Sequence, residues 1–450
     1  MLKSQKNPII YGTLLLSFSG LICRGIGFFY RLFISQAFGE EAMGIFQLTS
    51  PVLMLAFSLT CSGTQTAISR YTAACFGMKN ESRANTFLFA GCAMSFSIAL
   101  LYSIVVFNQA ENISIYFLQE KRCASLLKIC AFSFPFSALH SCFNGYFYGK
   151  KNTKIPSLTQ IIEQLIRVGT VFLLYHLLIY RGKRPTIALT CVGMLLGEAF
   201  SFFISFLYYA ATSSVSKKNF STDSYRSICK QLLSLSLPLT LSRVLVNLLH
   251  SYEAISLPVV LKEYGYSTET ALSIYGVLTG MALSLVLFPS TFANSVSVLL
   301  LPAISEASSL KNYSQIKNTI IKSIFFSLFL GFICTLAFYS LGEFCGMFLF
   351  HSRLAGVFIR QLSFLCPFLY IHITLTSILN GLKKTKTTLF INVFSLLLKL
   401  FFIIHFVPIY GIKGYLWGVL LSEFLCSLFC ILVLKKYIVS KKIQSNSLFL

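Results

Sequence analysis

The sequence predicts an all-α polytopic membrane protein, with about 12 transmembrane helices in two pseudo-symmetric six-helix bundles. Three observations carry this. Of 450 residues, 56% are hydrophobic and only 11% charged, with mean hydropathy +0.75; soluble domains carry about a quarter charged residues. Apolar runs recur along the whole chain at lengths above the roughly 18 residues that span a bilayer. Finally, the second half of the chain repeats features of the first in the same order. Short segments of alternating polarity are absent from the sequence, which excludes a membrane β-barrel.

Hydropathy places spans near 9–37, 44–72, 84–109, 124–149, 156–180 and 186–212, then near 230–260, 271–301, 319–345, 355–381, 387–408 and 411–436. The opening MLKSQKNPII is basic, but the apolar run behind it is too long for a signal-peptide core and ends in no small-residue cleavage site. It reads as a retained first span. The formal net charge of +23 would suggest a nucleic-acid partner in a soluble chain; in a membrane protein it reflects cytoplasmic loops rich in Lys and Arg. With the N-terminus cytoplasmic, 22 Lys and Arg fall on that side and 9 on the other. The loop RGKR (181–184) departs from the bias. The expectation is a multi-pass protein of the bacterial cytoplasmic membrane with both termini cytoplasmic and no nucleic-acid partner. The 14 cysteines form no CxxC pair and mostly sit in apolar runs, where cysteine acts as a small hydrophobe. No metal or cofactor is expected.

The longest hydrophilic connection, SVSKKNFSTDSYRSICKQ, separates the sixth and seventh spans. It divides the chain into an N-terminal lobe (1–215), a cytoplasmic linker (216–231) and a C-terminal lobe (232–450). Pro135, Phe136 and His140 match Pro367, Phe368 and His372 at an offset of 232, which also carries Gln160 to Asn392 and Arg167 to Lys399. GMLLGEAFS (193–201) echoes GVLLSEFLC (418–426), pairing Glu198 with Glu423, and MKNESRANTF (78–87) echoes LKNYSQIKNTI (310–320). Four ordered matches imply a duplicated six-span unit, and an even number of spans per unit makes the repeats parallel, as in transporters.

A charged residue at the bilayer centre costs about 2.5–3.5 kcal/mol on insertion scales, so it faces a partner or a wet cavity. Span five carries Gln160, Glu163, Gln164 and Arg167 on one helical face; Glu163 and Arg167 are spaced to pair, which a purely structural role would also require. Span one carries Arg24 and Arg31 on one face with no acid within that stretch, and span seven presents Arg243, Asn247, His250 and Glu253, equally readable as an interhelical hydrogen-bond seam. Lys399 stands in span eleven where Arg167 stands in span five. Arg24, Arg31, Arg167, Arg243 and Lys399 therefore read as a cationic cavity for an anionic substrate, since arginine grips phosphate bidentately while staying ionised. Gln160, Glu163, Gln164, Asn247, His250 and Glu253 read as polar cavity or ion-coupling groups. Glu198 and Glu423 each follow a small residue, which marks helix packing, and His140 and His372 read as satisfied packing residues. Pro51, Pro135, Pro289 and Pro367 are expected to kink their helices.

No Walker motif is present, since GYFYGKK (145–151) has the wrong spacing. The single aspartate, Asp223, and the external glutamates form no catalytic constellation, so the chain is not expected to be an enzyme, and no catalytic residue is assigned.

RGIGFFYRLFISQAFGEEAMGIFQL (24–48), NGYFYGKKNTKIPSLTQIIEQLIRV (144–168), LSLPLTLSRVLVNLLHSYEAISLPVVL (235–261), YGVLTGMALSLVLFPSTFANSVSVLLLPAISE (275–306) and ILNGLKKTK (378–386) together resemble the stage V sporulation protein B group. That group belongs to the multidrug/oligosaccharidyl-lipid/polysaccharide exporters and is related to the lipid II flippases. The resemblance implies a two-lobed bundle working by alternating access on an undecaprenyl-pyrophosphate-linked oligosaccharide or peptidoglycan precursor; membrane lipids are the other expected partner, and the protein is expected to be a monomer. By motif position it implies head-group roles for Arg24 and Arg31, with Arg70 a weaker candidate. The alternative on the same fold is a multidrug/cation antiporter, which needs a net acidic cavity.

Overall fold

The computed structural model describes residues 8–212, 225–310 and 312–446. All regular structure among them is helical, as hydrocarbon demands: a helix satisfies its backbone hydrogen bonds within one segment. Helix Pro8–Leu48 contains span one and passes through Gly39, whose φ of 83° interrupts the helical path. Span two follows over 50–77, beginning at Ser50–Phe57 and ending at Gly63–Gly77. Spans three to six are Glu81–Asn108, 123–149, Lys154–Tyr180 and Leu189–Thr212. Spans seven to twelve are Tyr225–Glu263, 268–309, Tyr313–Phe350, 353–381, Thr385–His405 and Ile412–Asn446. By length and hydropathy the described helices supply 10 candidate spans, or 11 with the bent pair of span four; one candidate, Leu14–Gly77, is 64 residues long. A stretch of that length rises about 96 Å if helical, enough for two crossings, and counted so it brings the described helices close to the twelve expected spans. Residues 213–224, most of the expected 216–231 linker, lie outside the described residues.

The helices group into two compact units. The first takes span one up to Tyr30 and then Ile45–Ser251; the second takes Arg31–Gly44 and everything from Tyr252. Close backbone approaches account for the two exchanged segments. Within the second unit, a Cβ on Gly44 would collide with the Leu272 carbonyl, and one on Gly276 with the backbone of Gly44. Within the first, a Cβ on Gly63 would lie 2.6 Å from the Ser236 carbonyl, so span two meets the start of span seven backbone to backbone.

The duplication is visible in hydrogen bonds internal to each unit. Span four breaks by 45° between Ala131 and Ser133, and span ten breaks at the 3-10 turn Ser363–Leu365. Both breaks precede the matched prolines Pro135 and Pro367. A proline removes the donor that the carbonyl four residues earlier would accept from, here Ala131 and Ser363. Each freed carbonyl is taken by the preceding span: Ser103 Oγ donates to Ala131 O at 2.6 Å, and Thr335 Oγ1 donates to Ser363 O at 2.9 Å. Thr335 and Ser363 lie 232 positions after Ser103 and Ala131. The same offset relates two ion pairs at the ends of spans three and nine, Lys128–Glu111 at 2.9 Å and Arg360–Glu343 at 3.0 Å. The Lys128 ammonium, hydrogen-bonded to Glu111, holds that carboxyl below its ordinary range.

The proline account makes a double-mutant prediction. Ser103→Ala is expected to cost about 1–2 kcal/mol by stranding the Ala131 carbonyl. In a Pro135→Ala background the restored N–H at 135 reclaims that carbonyl, and the cost falls to a few tenths. Detergent-solubilised unfolding of the four proteins measures the coupling; additive effects would contradict the assignment.

Candidate functional site

The first unit gathers an ionic cluster from spans four, five and six. Span five packs on span six through small residues: a Cβ on Gly193 would lie 2.7 Å from Arg167 O, and one on Gly197 3.0 Å from Glu163 O. This packing sets Glu163 and Arg167 beside Glu198. Arg167 Nη2 donates to Glu163 Oε1 at 2.5 Å, one helical turn away. His140 on span four places Nδ1 3.4 Å from Glu198 Oε2. Its Nε2 lies 3.4 Å from Thr159 Oγ1 and 3.1 Å from Asn144 Nδ2. Donor atoms of His140, Glu163 and Glu198 fall within 4.8 Å of one another. Arg167 pairs with Glu163 inside this group, so the three residues form part of an ion-pair cluster.

The second unit contains the matching cluster in altered form. His372 Nδ1 lies 2.8 Å from Glu423 Oε2, and Lys399 Nζ donates to Glu423 Oε1 at 3.3 Å. Ser395 stands where the first unit has Glu163. With no glutamate on its own helix, the span-eleven cation crosses to the carboxylate of span twelve. Tyr415 Oη donates to Glu253 Oε1 at 2.9 Å in the same unit.

The residues singled out by sequence are distributed over both units. Arg24, Gln160, Glu163, Gln164, Arg167, Arg243, Asn247 and His250 lie in the first; Arg31, Glu253 and Lys399 lie in the second. Arg24 and Arg243 are exposed at mid-span and make no hydrogen bond or ion pair among the described residues. Arg31 donates to Ser284 Oγ at 2.5 Å. Asn247 Nδ2 bonds Ser58 Oγ and donates to the Met54 carbonyl at 3.3 Å, a seam between spans seven and two. Gln160 and His250 are exposed, and Gln164 is half-buried.

His140, Glu198, His372 and Glu423, read from sequence as packing residues, are hydrogen-bonded members of the two clusters. The signal that could have paired them was present: both histidines recur at offset 232, and both glutamates recur at matching points of spans six and twelve.

Twelve spans, a duplicated hydrogen-bonded unit and ionisable groups at membrane depth define a polytopic transporter fold. A family model described as polysaccharide biosynthesis protein matches residues 9–308. The chain belongs to that family. A second model, MatE, matches residues 238–404. The chain is similar to stage V sporulation protein B of Bacillus subtilis (strain 168), 27% identical over 414 residues, covering 91% of this chain and 80% of that one. It is also similar to the uncharacterized membrane protein MJ1375 of Methanocaldococcus jannaschii, 24% identical with 94% and 97% covered. An inward-facing multidrug resistance MATE family transporter of the MOP superfamily shares the fold at TM-score 0.76 and 13% identity, covering 94% of this chain and 96% of that one. So does a MOP superfamily transporter from Pyrococcus furiosus, described as having a binding pocket of reverse polarity that suggests a different function, at TM-score 0.67 and 14% identity, with 96% of each chain covered.

The second cluster predicts a sign reversal. Glu423→Gln alone strands the half-buried Lys399 and is expected to cost about 3 kcal/mol, the lower end for breaking a buried pair. Adding Lys399→Met removes the stranded charge and restores most of that loss. Thermal unfolding in detergent checks it; a double variant less stable than Glu423→Gln alone would contradict the pairing.

Proposed function

We propose that this protein is a flippase that carries an undecaprenyl-pyrophosphate-linked oligosaccharide or peptidoglycan precursor across the cytoplasmic membrane by alternating access. The observation that supports this most is the state of Arg24 and Arg243: exposed, at mid-span, without a counter-charge among the described residues. A cation at that depth costs about 2.5–3.5 kcal/mol on insertion scales, and an anionic ligand offsets that cost. A pyrophosphate has the charge and oxygen geometry that a guanidinium grips bidentately. Arg31, Arg167 and Lys399, by contrast, are held by Ser284, Glu163 and Glu423. Membership of the polysaccharide biosynthesis family and the likeness to a sporulation protein agree with this substrate class.

In this reading the six-span lobes 1–215 and 232–450 open alternately, the polyprenyl tail stays in lipid, and no covalent chemistry is performed. The loop distribution of Lys and Arg supports cytoplasmic termini, and a monomer suffices because one chain carries both lobes.

A second reading, a multidrug or cation antiporter, is favoured by the MatE match over 238–404 and by the MATE structural neighbour. The carboxylates weigh against it. Glu163, Glu198, Glu253 and Glu423 each have an internal partner, respectively Arg167, His140, Tyr415, and His372 with Lys399.

Arg24→Ala combined with Arg243→Ala is expected to slow translocation of a fluorescent undecaprenyl-pyrophosphate glycan in proteoliposomes at least tenfold, while Lys at both positions retains part of it. Unchanged translocation in the double alanine variant, with efflux of a cationic dye by the parent protein, would transfer the assignment to the antiporter.

A further inference from the structure

The two histidine–glutamate pairs have diverged at the other ring nitrogen. His372 Nε2 is buried and has no hydrogen-bond partner among the described residues. The positions that could serve it are Thr376 and Ile391; the first is turned toward Cys430 and the second is apolar. Nothing is therefore placed to receive a proton at His372 Nε2, and Lys399 already balances the Glu423 carboxylate that faces Nδ1. A second proton on Nε2 would be a buried donor with nothing to accept it.

His140 has what His372 lacks. Asn144 and Thr159 occupy the matching positions, and both reach Nε2. Thr159 Oγ1 donates its own hydrogen to Ile155 O at 3.0 Å or Pro156 O at 3.2 Å, so it faces the imidazole with lone pairs. Asn144 presents Nδ2–H at 3.1 Å while its Oδ1 is buried without a partner among the described residues. Neutral His140 accepts from that amide. Protonated His140 donates to Thr159, and a half-turn of the Asn144 amide places Oδ1 against Nε2–H and removes the orphan. Both protonation states are thus served. Charge points the same way: Glu163 and Glu198 face one cation, Arg167, and one more positive charge balances the cluster.

From the surrounding elements, Glu163 and Arg167 on span five and Glu198 on span six face this group. Cys61 on span two lies on the Glu198 side, Cys23 and Tyr30 on span one lie on the Glu163–Arg167 side, and span three presents Cys92 to Cys142. None of the cysteines or the tyrosine supplies a cation.

We propose that His140, with Glu198, Asn144 and Thr159, is an exchangeable proton-binding site of the first unit, and that His372 is its fixed counterpart in the second. Resting on the transport reading above, uptake and release of this proton supply a coupling ion. The site itself stands apart from the identity of the substrate, and so does its test.

The experiment is 15N NMR of the full chain, selectively labelled at its 6 histidines, in nanodiscs between about pH 5 and pH 9, a range bracketing the ordinary histidine pKa of about 6.5. His140→Gln and His372→Gln assign the two signals; Asn144→Leu, which perturbs His140 alone, assigns it independently if His140→Gln does not fold. The expected result is that His140 passes from imidazolium to neutral imidazole across the range and His372 holds one tautomer. A His140 signal fixed throughout, or His372 titrating alongside it, would overturn the proposal whether or not the protein proves to be a flippase.

Discussion

A polar group at membrane depth has no water to fall back on, and the arrangement of this chain follows from how each such group is provided for. The backbone is provided for by helices. Where proline breaks a helix, the hydroxyls of Ser103 and Thr335 take over the freed carbonyls. The carboxylates of Glu163, Glu198, Glu253 and Glu423 are provided for by arginine, lysine, histidine and tyrosine. What stays unprovided for is then informative. Arg24 and Arg243 keep exposed guanidiniums with no partner among the described residues, and on our proposal those are the charges an anionic substrate uses.

Duplication explains why these solutions occur in pairs, and divergence explains why the pairs are unequal. Exchanging Glu163 for Ser395 turns an ion pair within span five into one between spans eleven and twelve. Exchanging Asn144 and Thr159 for Thr376 and Ile391 removes both partners of a histidine nitrogen. One duplicated framework thereby holds two clusters with different hydrogen-bond partners.

Most of the fold was legible because hydrocarbon imposes its rules locally. The twelve spans follow from the length and apolarity of each run, and the proline breaks follow from the missing N–H. The duplicated unit followed from residues at a constant offset. The clusters were only half legible. The Glu163–Arg167 pair lies within one helix and could be read from spacing. The His140–Glu198 and His372–Glu423 pairs join residues 58 and 51 positions apart in sequence, and the sequence states which helices are alike without stating which are neighbours. Asn247 shows the converse, since a polar residue on a charged face serves a seam between spans seven and two. The close approach of Gly44 to span eight, which carries part of span one into the second unit, depends on backbone contact that hydropathy does not record.

The central claim is that uncompensated cations at membrane depth select a phosphorylated lipid. Binding of a short-chain polyprenyl pyrophosphate, monophosphate and free alcohol to the purified protein, compared at equal tail length in one titration series, tests it most directly. The account predicts affinity falling in that order, with the pyrophosphate advantage reduced when Arg24 and Arg243 are replaced. Equal affinity for the alcohol, or tighter binding of a cationic dye than of the pyrophosphate, would contradict it.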